Sequence, residues 1–525
     1  MKASVIGGGL AGITAALALA SQGAEVTLLE AKPRLGGATM SFNRDGLVID
    51  TGQHVFLRCC TAYQGLLDRL GMTANAPLQP RFDVPVLTPA RRTRLRRNRM
   101  PAPLHLLPTL LRYPLVSLAG RARVGQAALA MRGVDLTDPA TDEVRFGDWL
   151  ARHGQGERTR RALWDLFAVA SLNVPGDDAS LTLAAKVVQT GLLGESGAAD
   201  IGVPALSLGE LHGAAAARKL AELGATVRLN TKVDAVEVAA GPGEPRFTVR
   251  LGRGEGEDIH ADAVVIAVPH EAAARLMPPG ALPEETVEGW AGLGAAPIVN
   301  VHVIYDRKVM DMPFAAGVDS PVQWVFDRTQ ISGMHARGAP EKDSAAEKDS
   351  APEKDSAAEN DSGSGKYSEA GQYLAISLSA ADEYVDRSVA SLREEFIPAL
   401  AQLFPAAREA TVTEFFVTRE RRATFRGVPG TARLRPRAAT DLPGLVLAGS
   451  WTDTGWPDTM ESAVRSGLNA VLALRADGQA SPVGSGRTGR YTSGVSGMPA
   501  PEGAKANEMN ESAVSTGDSV RGVRS

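Results

Sequence analysis

Short apolar runs separated by glycines fill the first thirty residues. Residues 3–6 are apolar as in a buried strand, residues 10–21 are rich in alanine and leucine as in a buried helix, and residues 25–30 form a second apolar run. Gly23 lies where the end of the helix is expected. The pattern predicts a strand–helix–strand unit whose two strands are parallel.

Similar patterns return in the middle and at the end of the chain. Residues 211–223 indicate a helix, and strand-like runs follow at residues 227–230, 233–238, 247–251 and 263–268. Residues 444–449 form a last buried-strand pattern, before a helix predicted from about residue 459 to 474.

The order of these elements predicts an α/β fold with an inserted second domain, because the sheet-forming pieces lie far apart in the chain. We assign residues 1–54, 205–284 and 425–475 to a discontinuous, Rossmann-like first domain. The inserted domain, residues 55–204 and 285–424, is predicted to be α+β.

Two segments are predicted to be disordered. Residues 339–366 hold an acidic repeat of six residues that begins at Glu341, Glu347, Glu353 and Glu359, and it contains no large apolar side chain to offset the entropy of ordering. Residues 479–525 are rich in glycine, serine, threonine and proline and resemble a flexible tail.

Composition narrows the class of protein. The 525 residues carry 56 lysines and arginines against 60 aspartates and glutamates, so no overall field attracts nucleic acid. The two cysteines, Cys59 and Cys60, are adjacent, and Cα atoms about 3.8 Å apart do not suit an ordinary disulfide. No basic leader precedes the first apolar run, so we expect a cytoplasmic protein.

A glycine-rich turn follows the first predicted strand. Gly7, Gly9 and Gly12 fit G-x-G-x-x-G, the pattern that allows a tight turn, a close approach to a pyrophosphate and close packing of helix on sheet. Glu30 ends the second strand, where a carboxylate accepts hydrogen bonds from a ribose and disfavours a 2′-phosphate. A chance turn is the alternative for a lone motif, but the strand–turn–helix–strand context favours a dinucleotide cofactor.

Three further motifs resemble the flavin-containing amine oxidase and carotenoid desaturase superfamily. They are AKPRLGGA at residues 31–38, DTGQH at residues 50–54 and LAGSWTDTGWPDTMESAVRSG at residues 447–467. The resemblance implies FAD as the cofactor and an amine oxidase-like fold, in which a Rossmann-like FAD-binding domain carries an inserted substrate domain. It also implies that the last helix begins at the pyrimidine edge of the flavin, where its positive end stabilises a reduced flavin.

The glycine motif and the resemblance together define the predicted site. The predicted cofactor-binding residues are Gly7, Gly9, Gly12, Glu30, Arg34, Gly36, Gly37, Gly52, Gln53, Val233, Gly449, Ser450 and Met460. His54 is the one candidate catalytic residue, because its position is expected to face the flavin, and a structural role is the alternative. No cluster of residues has the spacing of metal ligands.

Within the superfamily, residues 1–475 without the acidic repeat resemble the squalene-associated branch, the hydroxysqualene dehydroxylases, with plant-type phytoene desaturases next. The resemblance implies a long apolar isoprenoid substrate, a hydride delivered by reduced flavin, and a flavin reductant that the sequence does not identify. Desaturation of a phytoene-type polyene and amine oxidation are the alternatives, so the direction of hydride transfer stays open.

A cationic run precedes an apolar segment. The run contains Arg91, Arg92, Arg94, Arg96, Arg97 and Arg99, and residues 101–118 after it are rich in leucine and proline. Since this segment is too short to span a bilayer, it predicts peripheral contact with an anionic membrane, at the inner face of the cell membrane. A solvated loop followed by a buried helix is the alternative.

Overall fold

The computed structural model describes residues 1–239, 246–254, 256–334 and 370–479. The strands of this part of the chain are β1 (Lys2–Ile6), β2 (Glu25–Leu29), β3 (Ser41–Arg44), β4 (Leu47–Asp50), β5 (Phe56–Leu57), β6 (Asp83–Leu87), β7 (Arg92–Arg96), β8 (Ile201–Gly202), β9 (Thr226–Arg228), β10 (Val233–Val238), β11 (Phe247–Leu251), β12 (Ile259–Ala261), β13 (Ala263–Ile266), β14 (Ala296–Tyr305), β15 (Phe314–Gly317), β16 (Trp324–Asp327), β17 (Gln372–Leu378), β18 (Val412–Thr424) and β19 (Leu445–Leu447).

The α-helices of the same residues are α1 (Leu10–Ala20), α2 (Thr61–Arg69), α3 (Leu107–Leu111), α4 (Leu118–Arg132), α5 (Pro139–Asp142), α6 (Phe146–Arg152), α7 (Glu157–Thr159), α8 (Asp165–Leu172), α9 (Leu181–Val187), α10 (Ala215–Glu222), α11 (His270–Leu276), α12 (Glu284–Gly289), α13 (Val389–Leu403) and α14 (Met460–Gln479). Three π-helical stretches adjoin them, at Arg160–Trp164, Val188–Gly194 and Gly209–Ala214. None of the described helices is both long and apolar enough to cross a membrane.

A parallel sheet holds the two ends of the chain together. Its five described strands have the order β19-β13-β1-β2-β9, and Ile6 of β1 lies between Ile266 and Leu29. Helix α1 is buried over its whole length, which accounts for its many alanines, because small side chains let it lie close to the sheet and to α14. The predicted α/β fold is confirmed.

A second sheet is built from the intervening stretches. Its order is β18-β14-β17-β16-β15-β6-β7 in the described residues, and only the β15–β6 pairing within it is parallel. Side chains of β14 and β17 pack against α13 in an apolar cluster that includes Val301, Ile376 and Phe396. All seven strands lie between residues 55 and 204 or between 285 and 424. The division into two domains stays a prediction, since Met1–Gln479 form one compact unit.

The structure differs from the sequence predictions at one boundary and in the secondary structure of one segment. Helix α14 runs to Gln479, so the first residue of the predicted tail is helical, and the rest of the tail and the acidic repeat lie outside the described residues. The cationic run is not a loop, because Arg92–Arg96 pair with β6 as strand β7. Alternating strand geometry puts Leu95 of this run into the core and leaves its neighbours outside.

Candidate functional site

Two glycines of the first turn are required by the protein's own packing. Gly7 has a φ of +107°, and a Cβ atom there would lie 2.4 Å from the carbonyl oxygen of Ala267, which directly follows the neighbouring strand β13. A Cβ atom on Gly12 would lie 1.9 Å from the carbonyl oxygen of Gly7. These positions therefore fix the turn and the close approach of α1 to the sheet.

Gly9 is different, because no contact among the described residues requires a glycine there. Its φ is −74°, and a Cβ atom would meet only the Cα of Gly37, at 3.9 Å. Gly9 is the N-cap of α1, and no side chain accepts a hydrogen bond there. The first N–H groups of the helix are thus available to an anion, and the glycine leaves room for a ligand to lie against the backbone.

The carboxylate of Glu30 organises the same turn. One oxygen accepts a hydrogen bond from the Gly8 N–H at 2.7 Å, and the other accepts one from the Lys32 N–H at 2.9 Å. Each oxygen keeps a second lone pair, so the predicted contact with a ribose is chemically compatible with this structural role. Ribose binding by Glu30 stays a prediction.

The double-glycine turn lies directly against the first turn. Gly36 and Gly37 both have positive φ, the Gly36 N–H donates to the carbonyl oxygen of Gly8 at 2.8 Å, and a Cβ on Gly37 would lie 2.9 Å from the Cα of Gly9. Arg34 donates to the sulfur of Met40 at 3.2 Å, which anchors the start of this turn. The two turns form one surface of bare backbone, as a pyrophosphate requires.

The C-terminal motif reaches the same edge of the parallel sheet. Since β19, β13 and β1 are parallel, the loop after β19 lies on the side where the Gly7 turn follows β1. Gly449 has a φ of +139°, and its N–H donates to Ser466 Oγ at 2.9 Å. Helix α14 contacts α1 at Gly467, where a Cβ atom would lie 2.3 Å from the carbonyl oxygen of Ala11.

Arg435 holds the loop that contains Ser450, and sequence reasoning missed it. Its side chain is buried, donates to the carbonyl oxygens of Ser450 (3.1 Å), Trp451 (3.2 Å) and Thr452 (2.6 Å), and lies over the ring of Phe425. Burial lowers the pKa of Arg435, yet a guanidinium stays charged near neutral pH. Nothing in the local sequence distinguishes it from the surface arginines around it.

A buried ion pair positions the D-T-G-Q-H segment. Asp50 and Arg328 are both buried and hydrogen-bonded to each other, and Asp50 also accepts from the Leu208 N–H at 2.9 Å. The side-chain amide of Asn300, on β14, donates to the carbonyl oxygen of Thr51 at 2.9 Å. The second sheet thus fixes a loop that belongs to the cofactor side, through Arg328 and Asn300, which the sequence analysis did not identify.

Gln53 and His54 end the D-T-G-Q-H segment; the sequence predicts that the first binds the cofactor and that the second is a candidate catalytic residue. Both side-chain polar atoms of Gln53 are inaccessible to solvent and have no hydrogen-bond partner in the described chain. The His54 ring folds over Gly52, whose Cβ would lie 2.8 Å from Nε2. Burial lowers the pKa of His54, Asp50 opposes this, and Arg328 lowers it further, so the imidazole is neutral at pH 7.

The remaining predicted residues have distinct surroundings. Val233 starts β10 and is buried in the antiparallel sheet, outside the parallel one. Met460 begins α14. Beside it, Glu461 is buried, and its carboxylate accepts from the N–H groups of Ala62 (3.1 Å) and Tyr63 (2.8 Å). It therefore caps α2 from a position in the first turn of α14.

The residues present fit FAD. Gly9 leaves bare backbone in front of a helix N-terminus, and the amide of Gln53 lacks the partner that a buried polar group needs. The structure brings Gly7, Gly12, Gly36, Gly37 and Gly449 to one edge of the parallel sheet. The contacts of each predicted residue with FAD stay predictions, as does a catalytic role of His54.

Comparison with known proteins agrees with this geometry. The chain is 29% identical to the hydroxysqualene dehydroxylase of Rhodopseudomonas palustris, over 91% of this chain and 99% of that protein. It is 24% identical to the 15-cis-phytoene desaturase of an Oncidium hybrid cultivar, over 91% of this chain and 78% of that protein. Cyclohexylamine oxidase from Brevibacterium oxydans has a similar fold, with a TM-score of 0.63 at 19% identity over 91% of this chain and 99% of that one.

The family model described as flavin containing amine oxidoreductase matches residues 10–474. The sequence prediction of this superfamily is confirmed, and so are FAD as the cofactor and an FAD-dependent oxidoreductase as the class of enzyme. By this match over most of its length, the chain belongs to the flavin-containing amine oxidoreductase family.

Proposed function

We propose that the protein catalyses the reductive dehydroxylation of hydroxysqualene to squalene. The observation that carries the proposal is the match to the Rhodopseudomonas dehydroxylase, which is 29% identical over 99% of that protein. The match to the Oncidium phytoene desaturase leaves about a fifth of that protein unmatched, at lower identity. The substrate class is a long apolar isoprenoid.

In this reaction the carbon–oxygen bond of an allylic carbinol breaks, the hydroxyl group leaves as water after taking up a proton, and the carbon gains a hydride. FAD in its reduced form supplies the hydride, and the two electrons come from a reductant still to be identified. The delocalised cation between the two steps is protected by excluding water.

The residues near His54 suit this chemistry. A neutral imidazole is a poor acid, so His54 can orient or accept a hydrogen bond from the hydroxyl group but is not the imidazolium that would protonate it. Val55 and Leu57, which follow it, are partly buried and pack against an apolar cluster of the core, so the chain after His54 is apolar. An apolar surface is what a hydrocarbon chain requires.

The test is an anaerobic incubation of the purified holoenzyme with hydroxysqualene after stoichiometric reduction of its flavin by dithionite. We expect one squalene, measured by gas chromatography, for each flavin that recovers its absorbance near 450 nm. Hydroxysqualene that returns unchanged while the flavin stays reduced would contradict the proposal.

The second candidate is desaturation of a phytoene-type polyene, favoured by the identity to phytoene desaturases. Here oxidised FAD accepts a hydride, so the substrate must bleach the flavin. Incubating the oxidised holoenzyme with phytoene and a quinone acceptor distinguishes the two, because only a desaturase forms new conjugated double bonds, visible as absorbance above 300 nm. Oxidation of a primary amine to an imine, with oxygen reduced to hydrogen peroxide, would instead indicate an amine oxidase.

A further inference from the structure

Exposed apolar side chains are concentrated in one short region of the chain. Of the large apolar side chains that are exposed in the described residues, more than half lie between residues 100 and 129. They are Met100, Leu104, Leu107, Leu111, Leu118 and Leu129. The others, Met1, Leu229, Val238, Val389 and Leu472, are scattered through the sequence.

The helical segment at residues 104–111 is apolar on both of its sides. Leu106 and Leu110 pack inward against the core. Leu104, Leu107 and Leu111 are exposed at spacings of three and four residues, so they share the opposite side. A surface helix of a soluble protein carries polar residues there, whereas a helix that is apolar all round is normally covered.

The charge around this segment has a single sign. Between Asp83 and Asp135 the sequence contains no aspartate, glutamate or lysine, although the whole chain has a net charge of −4. The arginines of the interval are Arg91, Arg92, Arg94, Arg96, Arg97, Arg99, Arg112, Arg121, Arg123 and Arg132.

Not all of these arginines are available to a partner. Arg94 and Arg96 pair with Asp83, and Arg97 pairs with the buried carboxylate of Asp200. Other cations lie closer to the leucines. Arg121 donates to the backbone carbonyl oxygens of Leu111 (2.6 Å) and Val116 (2.9 Å), and Arg112 is an exposed neighbour of Leu111.

We infer that this surface, Leu104, Leu107, Leu111 and Leu118 with Arg112 and Arg121, docks the protein on an anionic lipid bilayer. The leucines enter the acyl boundary and the arginines contact lipid headgroups, which is how apolar helices with cationic borders bind membranes. The contact keeps the apolar segment that the sequence predicts and differs in its cations, because the partly neutralised residues 91–99 contribute less than Arg112 and Arg121. The protein then resides in the cytoplasm, at the inner face of the cell membrane.

The test is flotation of the purified holoenzyme with vesicles of phosphatidylcholine and phosphatidylglycerol at low salt. We expect the parent protein to float. The double variant Leu107→Ser/Leu111→Ser should bind at least about tenfold more weakly, because two half-exposed leucines that would enter the acyl region are replaced by polar side chains. The matched control is Val389→Ser/Leu472→Ser, whose side chains are 40% and 57% exposed against 41% and 57% for the leucines. The control should bind like the parent.

A charge variant tests the second component. Arg112→Gln should weaken binding about fivefold at low salt, as expected for one charge near an anionic surface. Its control is Arg408→Gln, at an exposed arginine that lies far from residues 104–121 in the sequence and donates to the backbone carbonyl of Ala401. Raising the salt should weaken parent and control alike, and phosphatidylcholine alone should bind all of them poorly.

Several outcomes would overturn the inference. The parent protein would then stay in the soluble fraction at low salt, or it would bind neutral and anionic vesicles equally well. Equal losses of vesicle binding in the leucine variant and its control would also overturn it. A parent dimer, seen by light scattering, that the leucine variant dissociates would show instead that the leucines face a second copy. Flavin absorbance and melting temperature verify that each variant is folded, and no readout depends on turnover.

Discussion

The glycine turns and the corner around Asp50 border the same site but are built in opposite ways. The turns consist of bare backbone, and apart from the close approach of Gly7 to Ala267 the contacts that define them run among residues 7–12, 30 and 36–37. The corner consists of buried polar side chains, and Asp50 meets its partner Arg328 across 278 positions of sequence. Where a site needs bare backbone, residues close together in the sequence can form it. Where it needs a charge in a fixed place, the partner that holds the charge can come from a distant part of the chain.

The largest effect is expected at Gly12, where any side chain collides with the backbone of Gly7. Gly12→Val should prevent α1 from packing on the sheet and leave little folded flavoprotein, seen as loss of absorbance near 450 nm and of the cooperative melting transition. Gly65→Ala is the control, because a Cβ atom there meets no atom within 4 Å. A yellow Gly12→Val protein with the parent's melting temperature would contradict this account of the turn.

Arg328→Met should have the next largest effect, since it leaves the carboxylate of Asp50 buried without its cation. Breaking a buried pair in this way costs about 3–5 kcal/mol of the free energy of unfolding, measured by urea titration of tryptophan fluorescence. The exposed pair of Arg421 and Asp386 provides the comparison, and Arg421→Met should cost less than about 1 kcal/mol. Equal losses in the two variants would mean that Asp50 and Arg328 do not form a structural corner.

Gly9→Ala should separate cofactor binding from folding. The added methyl group has ordinary contact distance to Gly37, so the melting temperature of the apoprotein should fall only slightly, by the small cost of alanine at an N-cap. The affinity for FAD, measured by quenching of flavin fluorescence during titration of the apoprotein, should fall about tenfold or more, because the methyl group occupies the space of a pyrophosphate. Unchanged affinity would show that the cofactor does not approach the backbone at this turn.

The smallest effect is expected on the pH dependence of stability, through His302, a buried polar side chain near Arg328. Its ring is buried between Tyr373 (2.8 Å from Nδ1) and Thr418 (3.0 Å from Nε2), and burial, with Arg44 and Arg328 nearby, lowers its pKa to about 3. Below pH 6.5 the unfolded chain therefore takes up a proton that the folded chain refuses, and stability falls as the pH falls toward 3.

His302→Gln should remove this contribution. Between pH 6 and pH 4.5 the variant should lose stability less steeply than the parent, by up to about 1.4 kcal/mol per pH unit, in urea titrations at several pH values. Above pH 7 the variant should be less stable than the parent, because its hydrogen bonds fit less well. Parallel pH profiles would show that His302 does not titrate as described.

Features with local causes could be predicted from the sequence. The strand–turn–helix unit, the glycine turns and the C-terminal motif each follow from neighbouring residues, and the structure places them at one sheet edge. Arg328, Asn300 and Arg435 could not be found, because their partners are chosen by the packing of distant elements. For the same reason, the local sequence does not reveal that the carboxylate of Glu461 caps α2.

The position of β19 in the parallel sheet also has a consequence for the time at which the site forms. Strands β1 and β19 are separated by roughly 440 residues, which a ribosome adds in about 20–90 s. During that interval α1 is made without α14, the helix that packs against it. The nascent chain therefore exposes part of a helix that is buried over its whole length in the finished protein, and the predicted FAD site is complete only after the last strand has been made.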